Sequence, residues 1–213
     1  MHSIWSSAGG EPGHERHGEL GYNTAGDGCR PQEKGLFASM QGGNNRRIES
    51  SMRIATEDDL PAIVSIYNST VQARQSTADT VAVTVESRRE WFGQHHPDRR
   101  PLMVHEQGDR IVAWVSFQSF YGRPAYDHTA EISIYIAPSC RGQGLGRTLL
   151  AEVLGLTRQL GIRTVVGFIF SHNEPSLRLF RSFGFAEWGR LPDVAEMDGR
   201  EFSLSILGKR VHP

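Results

Sequence analysis

The sequence predicts one α/β domain built on a mixed sheet, with elements in the order β-α-α-β-β-β-α-β-α-β-β. Three observations carry this. Apolar residues recur at helical spacing in some segments and at strand spacing in others, the two kinds alternate along the chain, and short turns rich in Gly, Asn or Asp separate them. The alternation begins at Met52. Residues 1–51 are rich in Gly, Ser, Asn and charge with only scattered apolar residues, so they bury too little surface to offset chain entropy and are expected to be disordered. The folded domain is expected to span 52–213, with Met52 read as the biological start and the first 51 residues as an extension.

Met52–Ala55 reads as a short strand. Thr56 followed by Glu57, Asp58 and Asp59 supplies an N-cap and an acidic first turn, so a helix is expected from Glu57, with Leu60, Ile63, Val64, Tyr67 and Val71 as its buried stripe. A second helix, Glu86–Gln94, is capped by Thr84 and packs Trp91 and Phe92. The period then changes. Leu102–Glu106 and Arg110–Ser119 are rich in β-branched and aromatic residues around Gln107-Gly108-Asp109, an antiparallel hairpin, and Trp114 and Phe117 are core by alternation. A third strand follows at Thr129–Ile136. Leu145, Leu149, Val153, Leu156 and Leu160 form a helical stripe closed by Gly161, and Thr164–Phe170 is a nearly continuous apolar strand. Asn173–Phe183 is a further helix, and strands at Phe185–Leu191 and Glu201–Gly208 flank the Asp198-Gly199 turn.

With 213 residues, a formal net charge of −1 and 22% charged residues, the chain has no global basic field for nucleic acid and no cationic face for an anionic membrane. No apolar run reaches the roughly 20 residues of a membrane span, and the start lacks a secretory apolar stretch, so a cytoplasmic protein is expected. Cys29 and Cys140 do not constitute a disulfide framework. His14 and His17 lie in His-Glu-Arg-His rather than His-Glu-x-x-His, and no metal is expected.

The turn before the long helix carries the most chemistry. Arg141, Gly142, Gln143, Gly144, Leu145, Gly146 and Arg147 place flexible backbone and two guanidinium groups at a helix start, where unpaired N–H groups and the helix dipole favour an anion. Gly142 and Gly146 are one residue too close for a Walker loop, whose lysine is replaced by Arg147. Glycines at 142, 144 and 146, after a late strand, also miss the dinucleotide fingerprint. What remains is Arg141-x-x-Gly144-x-Gly146, then Asn173-x-x-Ser176 and Phe183-Gly184-Phe185.

This set resembles the GNAT superfamily of N-acetyltransferases. The resemblance implies a mostly antiparallel mixed sheet flanked by helices, and acetyl-coenzyme A (acetyl-CoA) as acyl donor. It assigns the diphosphate to Arg141–Arg147, the pantetheine arm to Ile134, Tyr135 and Ile136 on the preceding strand, and a further cofactor contact to Asn173. The run Arg123-Pro-Ala-Tyr126-Asp-His128-Thr-Ala-Glu131 is similar to the phosphinothricin and amino-acid N-acetyltransferase branch. That branch implies an acid–base glutamate at Glu131, groups near the amine on this loop, a phosphinothricin or methionine sulfoximine type of substrate, and a homodimer.

The chemistry asks for the same parts. An α-amino group has a pKa of about 8 and must lose a proton before it attacks a thioester. Glu131, which shares a strand face with Ser133 and Tyr135, is the candidate base. An amino-acid carboxylate calls for a guanidinium, and Arg123 is the first candidate. Tyr126 and Phe120 either shape the pocket or pack the loop, and His128 either tunes Glu131 or is structural. Phe180 stands where the family often has Tyr, and this branch His, so the general acid is open; a thiol pKa near 8.5 makes the thiolate a tolerable leaving group. Cys140 lacks the partners of a nucleophile, and direct transfer is expected. Other amines, such as a polyamine or a protein N-terminus, and a non-catalytic acetyl-CoA-binding regulator remain alternatives.

Overall fold

Alternating periods become alternating layers in the computed structural model, which describes residues 50–213. The elements are β1 (Ser50–Ile54), α1 (Leu60–Val71), α2 (Val85–Gly93), β2 (Leu102–Gln107), β3 (Arg110–Ser119), β4 (Thr129–Ile136), α3 (Leu145–Leu156), β5 (Thr164–Phe170), α4 (Glu174–Ser182), β6 (Ala186–Met197) and β7 (Arg200–Arg210). Their order is the expected one. The expectations for residues 1–49, including His14, His17 and Cys29, lie outside the described residues. β1 opens at Ser50, two residues before the expected boundary, because Ser50 and Ser51 pair with Gln107 and Glu106.

The seven strands form one sheet in the order β1-β2-β3-β4-β5-β7-β6, antiparallel except for β4 and β5. One face of β3 and β4, with Ala113, Val115, Phe117, Ala130 and Ile132, packs against Leu149, Leu150 and Val153 of α3 and Leu177 and Phe180 of α4. The other face, with Trp114 and Tyr135, packs against α1 and Trp91 of α2. Trp114 is fully buried, and its indole N–H donates to Ile63 O at 3.1 Å, which satisfies the polar atom such burial would strand.

Three boundaries differ from expectation by three residues or more, each for a local reason. The residues after Thr56 first form a 3₁₀ turn, Glu57–Asp59, and regular α-helix begins at Leu60; Pro61 has no N–H to give an earlier α turn. α3 stops at Leu156 rather than running to Gly161: Thr157 is buried and bonds Leu154 O, and Ile162 N–H returns to Thr157 O through a turn in which Gly161 has φ +66°. β6 extends past Leu191 to Met197. It crosses Pro192 because it is an edge strand whose register breaks between Leu191 and Ala195. No helix among the described residues is long and apolar enough to cross a membrane.

The start of α1 is held electrostatically. Asp59 accepts from Thr56 N–H at 2.7 Å and from Arg53 at 2.6 and 2.9 Å, while Arg53 also holds Glu106 of β2. The Arg53 hydrogen bonds, and then Thr56, hold the Asp59 carboxyl down to about 2. A folded pKa below the unfolded one contributes stability above pH about 4 that is lost as pH falls through about 2. Asp59→Ala should therefore destabilise by about 2 kcal/mol at neutral pH in urea denaturation, the upper end of the cap range. Its difference from the parent protein should vanish over that acid window.

Candidate active site

The sheet's single parallel pair is brief. β4 and β5 pair only at Thr129–Thr164, Ala130–Val165 and Glu131–Val166, after which Ile132–Ile136 and Gly167–Phe170 have no register with each other. β4 continues against β3 and β5 against β7, so the two inner edges diverge as a fork whose closed end is at Glu131. Backbone N–H and C=O groups along those edges lack sheet partners, and such groups need another chain, water or a ligand. From Glu131 to Ile136 the open edge of β4 is roughly 17 Å long at strand rise.

A cavity of about 320 Å³ occupies the fork. Its walls come from Glu131, Ser133 and Tyr135 on β4, Phe168 on β5, Ser176 and Phe180 on α4, and the connection between α1 and α2. That connection contributes Gln75–Asp79 and is pinned from several sides. Asn173 donates to Gln75 O at 3.0 Å, Tyr135 donates to Ser76 O at 2.9 Å, His172 bonds Arg74 O, and Arg74 forms a two-point ion pair with Asp198 at the β6–β7 turn. Asp79 accepts from Arg88 at 2.6 Å and from the Tyr67 hydroxyl at 2.7 Å. The β6–β7 hairpin adds Val194, Ala195 and Leu204. Sequence reasoning missed the 72–84 connection and the hairpin; a connection of that length without regular structure was the available signal.

Glu131 makes no hydrogen bond or ion pair among the described residues, and its neighbours in the cavity wall are mainly apolar. Burial alone pushes its carboxyl up to about 7. Phe180 lies flat enough on β5 that a Cβ at Gly167 would sit 3.0 Å from its ring, and its other side meets Phe185 at 4.9 Å between centroids.

The glycine-rich loop stands at the open end of the fork. Gly142 and Gly144 have φ +73° and +85°, and Gly144 is the N-cap of α3, whose first residue is Leu145. A Cβ at Gly146 would meet Leu179 at 3.2 Å and Ile136 at 3.4 Å, so this glycine lets α3 approach both α4 and β4. Arg141 donates to Ile136 O at 2.8 Å and reaches Ser69 of α1. Gln143 donates to Ser139 O at 2.9 Å, and Arg147 stacks over Phe183 at 5.1 Å. Ile134 and Tyr135 line the cavity, but the Tyr135 ring is stacked 4.4 Å from Trp114, which leaves its backbone to meet a ligand. Asn173 caps α4 by accepting from Ser176 N–H and spends its amide donors on residues 75 and 76.

The residues expected near the amine are placed differently. Arg123, Tyr126 and His128 do not line the cavity. His128 hydrogen-bonds Gly161 O at 2.8 Å through Nδ1, and its own carbonyl accepts from Arg163 and Thr164, so it ties β4 to β5 at the closed end of the fork. Tyr126 packs edge-on to Phe120, which stacks over cavity-lining Phe168, so an aromatic path joins the β3–β4 loop to the wall. Arg123 is exposed on that loop.

An open strand edge ending at a helix start suits an extended molecule with phosphates at one end and a reactive group at the other, the form of the acyl carrier that an acyltransferase uses. Residues 61–185 match the model of the acetyltransferase (GNAT) family, and the chain belongs to that family. It is an acetyl-CoA-dependent N-acetyltransferase. The chain is 51% identical over 161 residues to YwnH of Bacillus subtilis, provisionally named a phosphinothricin acetyltransferase, covering 76% of this chain and 99% of that protein. It is 31% identical over 157 residues to the L-amino acid N-acyltransferase MnaT of Escherichia coli, covering 74% of this chain and 91% of that one. Among solved structures it resembles a phosphinothricin acetyltransferase from Sinorhizobium meliloti in complex with acetyl-CoA, with TM-score 0.72 and 25% identity over 76% of this chain and 89% of that chain.

A carboxyl whose folded pKa lies above its unfolded value contributes stability below pH about 4.5 that is lost as pH rises through about 7. Glu131→Gln avoids that loss. It should be more stable than the parent by on the order of 2 kcal/mol above pH 7 and nearly equal to it near pH 4, read from paired denaturation curves.

Proposed function

We propose that the protein acetylates the α-amine of a small amino-acid-like compound of the phosphinothricin or methionine sulfoximine type, with Glu131 as general base. The observation that carries this is the isolated carboxylate at the closed end of the fork, where the open edge of β4 ends. In this reading Arg141–Arg147 and the first turn of α3 hold the diphosphate, and the backbone of Ile134–Ile136 holds the pantetheine arm. Asn173 helps by fixing the 75–76 wall of the cavity. The names of the relatives support the substrate class.

Within the reaction, Glu131 takes one proton from the substrate ammonium. The freed nitrogen attacks the thioester carbonyl carbon, the C–S bond breaks, and its electron pair leaves with sulfur; a second nitrogen proton passes to solvent water as the amide forms. No Lys, Arg or His lines the cavity, and of its two carboxylates Asp79 is held by Arg88 while Glu131 has no ion-pair partner among the described residues. The ammonium end therefore enters, and the substrate carboxylate remains towards the β3–β4 loop, where Arg123 offers a guanidinium and Tyr126 an aromatic face. His128 supports the site through its tether to Gly161. A homodimer belongs to the same reading, and exposed Trp188, Leu191 and Val194 on β6 are apolar surface for it to bury.

A thiol-release assay over L-amino acids, methionine sulfoximine, phosphinothricin, polyamines and a peptide N-terminus tests the substrate class. The expected outcome is turnover concentrated in the amino-acid analogues; preference for a polyamine, or binding without turnover, overturns it. For the base, kcat/KM should fall as pH drops below about 7, where Glu131 takes up its proton. Glu131→Gln should lower kcat by about a hundredfold and flatten that acidic limb.

A further inference from the structure

Phe180 has no proton to give, so any side-chain hydrogen bond to the departing sulfur comes from another residue of the cavity. The hydroxyls there can be sorted by where their protons already go. Tyr67 donates to Asp79, and Thr77, which faces the Tyr67 oxygen, must then donate to Tyr67. Tyr135 donates to Ser76 O, and both amide hydrogens of Asn173 are directed at Gln75 O and the Ser76 hydroxyl oxygen. Among the described residues no acceptor takes the hydroxyl protons of Ser76, Ser133 or Ser176, all of which line the cavity.

Position separates these three. Ser133 shares the strand face of Glu131, on the side of α1 and α2. Ser76 belongs to the same side, on the connection between those helices. Ser176 is on α4, which covers the opposite face, and lies one turn before Phe180, so the two side chains share a face of that helix. Glu131 and Ser176 thus approach the fork from opposite faces of the sheet, and Ser176 does so beside Phe180.

We infer that the Ser176 hydroxyl donates the hydrogen bond that stabilises the coenzyme A thiolate as the C–S bond breaks, the duty that Phe180 cannot perform. The Ser176 O–H bond stays intact. Negative charge collects on sulfur, the hydrogen bond disperses it, and the thiolate is later protonated from solvent or from the acid form of Glu131, which returns the proton taken from the amine. The inference rests on the reading that the pantetheine arm lies in the fork.

The test uses the full chain with coenzyme A itself. The ultraviolet absorbance of the thiolate, titrated with and without protein, gives the thiol pKa of bound coenzyme A independently of turnover. Ser176→Ala keeps the backbone N–H that caps α4 onto Asn173. It should raise that pKa by about one unit and lower kcat about tenfold, the worth of one hydrogen bond to a charged group, with little change in KM for the amine. Ser176→Thr, which keeps the hydroxyl, should restore both values, and Ser76→Ala and Ser133→Ala should leave the bound thiol unchanged. Equal thiol pKa values for the parent protein and Ser176→Ala overturn the assignment, as does a shift produced by Ser76→Ala or Ser133→Ala instead. Coenzyme A that does not compete with acetyl-CoA for the parent protein overturns the fork reading and this assignment together. Loss of activity in Glu131→Gln alone bears on the base and not on Ser176.

Discussion

The structure depends on a pairing that stops. Three residue pairs join β4 to β5, and beyond Glu131 and Val166 each strand is held only by its outer neighbour. A sheet that abandons hydrogen bonds in its interior leaves polar backbone that must be satisfied some other way. The surrounding elements keep the gap from collapsing. α3 and α4 cover one face through Leu149, Val153, Leu177 and Phe180, while the stacked Trp114 and Tyr135 stiffen the other. Gly167 and Gly146 then adjust how closely α4 and α3 can lie, since a single Cβ at either would press on a neighbouring side chain.

The polar contacts around the fork are concentrated on one irregular segment. Residues 74–79 receive hydrogen bonds from Tyr135, His172 and Asn173, while Arg74 reaches across to the β6–β7 turn. Behind them, the nearly buried Arg88 guanidinium meets Asp79 and the face of the Tyr67 ring at 5.2 Å. Burial lowers the Arg88 pKa, and the Asp79 charge and hydrogen bond oppose that shift. Breaking such a pair by removing one partner strands the other charge in a poorly solvated place. The connection between α1 and α2 is therefore a fixed wall of the cavity, although its sequence has the irregular composition of a loop.

The element order was legible because periodicity reports local geometry, and the strands and helices obey it. The glycine-rich entry to α3 was legible because its glycines and arginines fall within seven consecutive residues, and the place of Glu131 on β4 because it sits on the strand that feeds that loop. The remaining cavity wall was not, since Asn173 meets Gln75 across 98 residues and Arg74 meets Asp198 across 124. Such contacts leave no periodic trace. His128 illustrates a different limit: residue type gave its chemistry, but only the fold shows that its ring turns to Gly161. Element ends failed where one hydroxyl or one proline decided them, as at Thr157 and Pro61, and where an edge strand ran on through a proline, as at Pro192.

Pro192 has a wider effect through its place on the rim. β6 is the last strand of the sheet, and its outer side would ordinarily present a row of donors and acceptors to any extended chain nearby. Its two register breaks, Pro192, and Asp193 with φ +50° and its N–H turned to the Ser203 hydroxyl interrupt that row. The hairpin that closes the cavity therefore has a frayed outer margin, unsuited to templating strand-by-strand aggregation. The irregularity that carries Val194 and Ala195 to the site thus also denies a neighbouring strand a continuous edge to pair with.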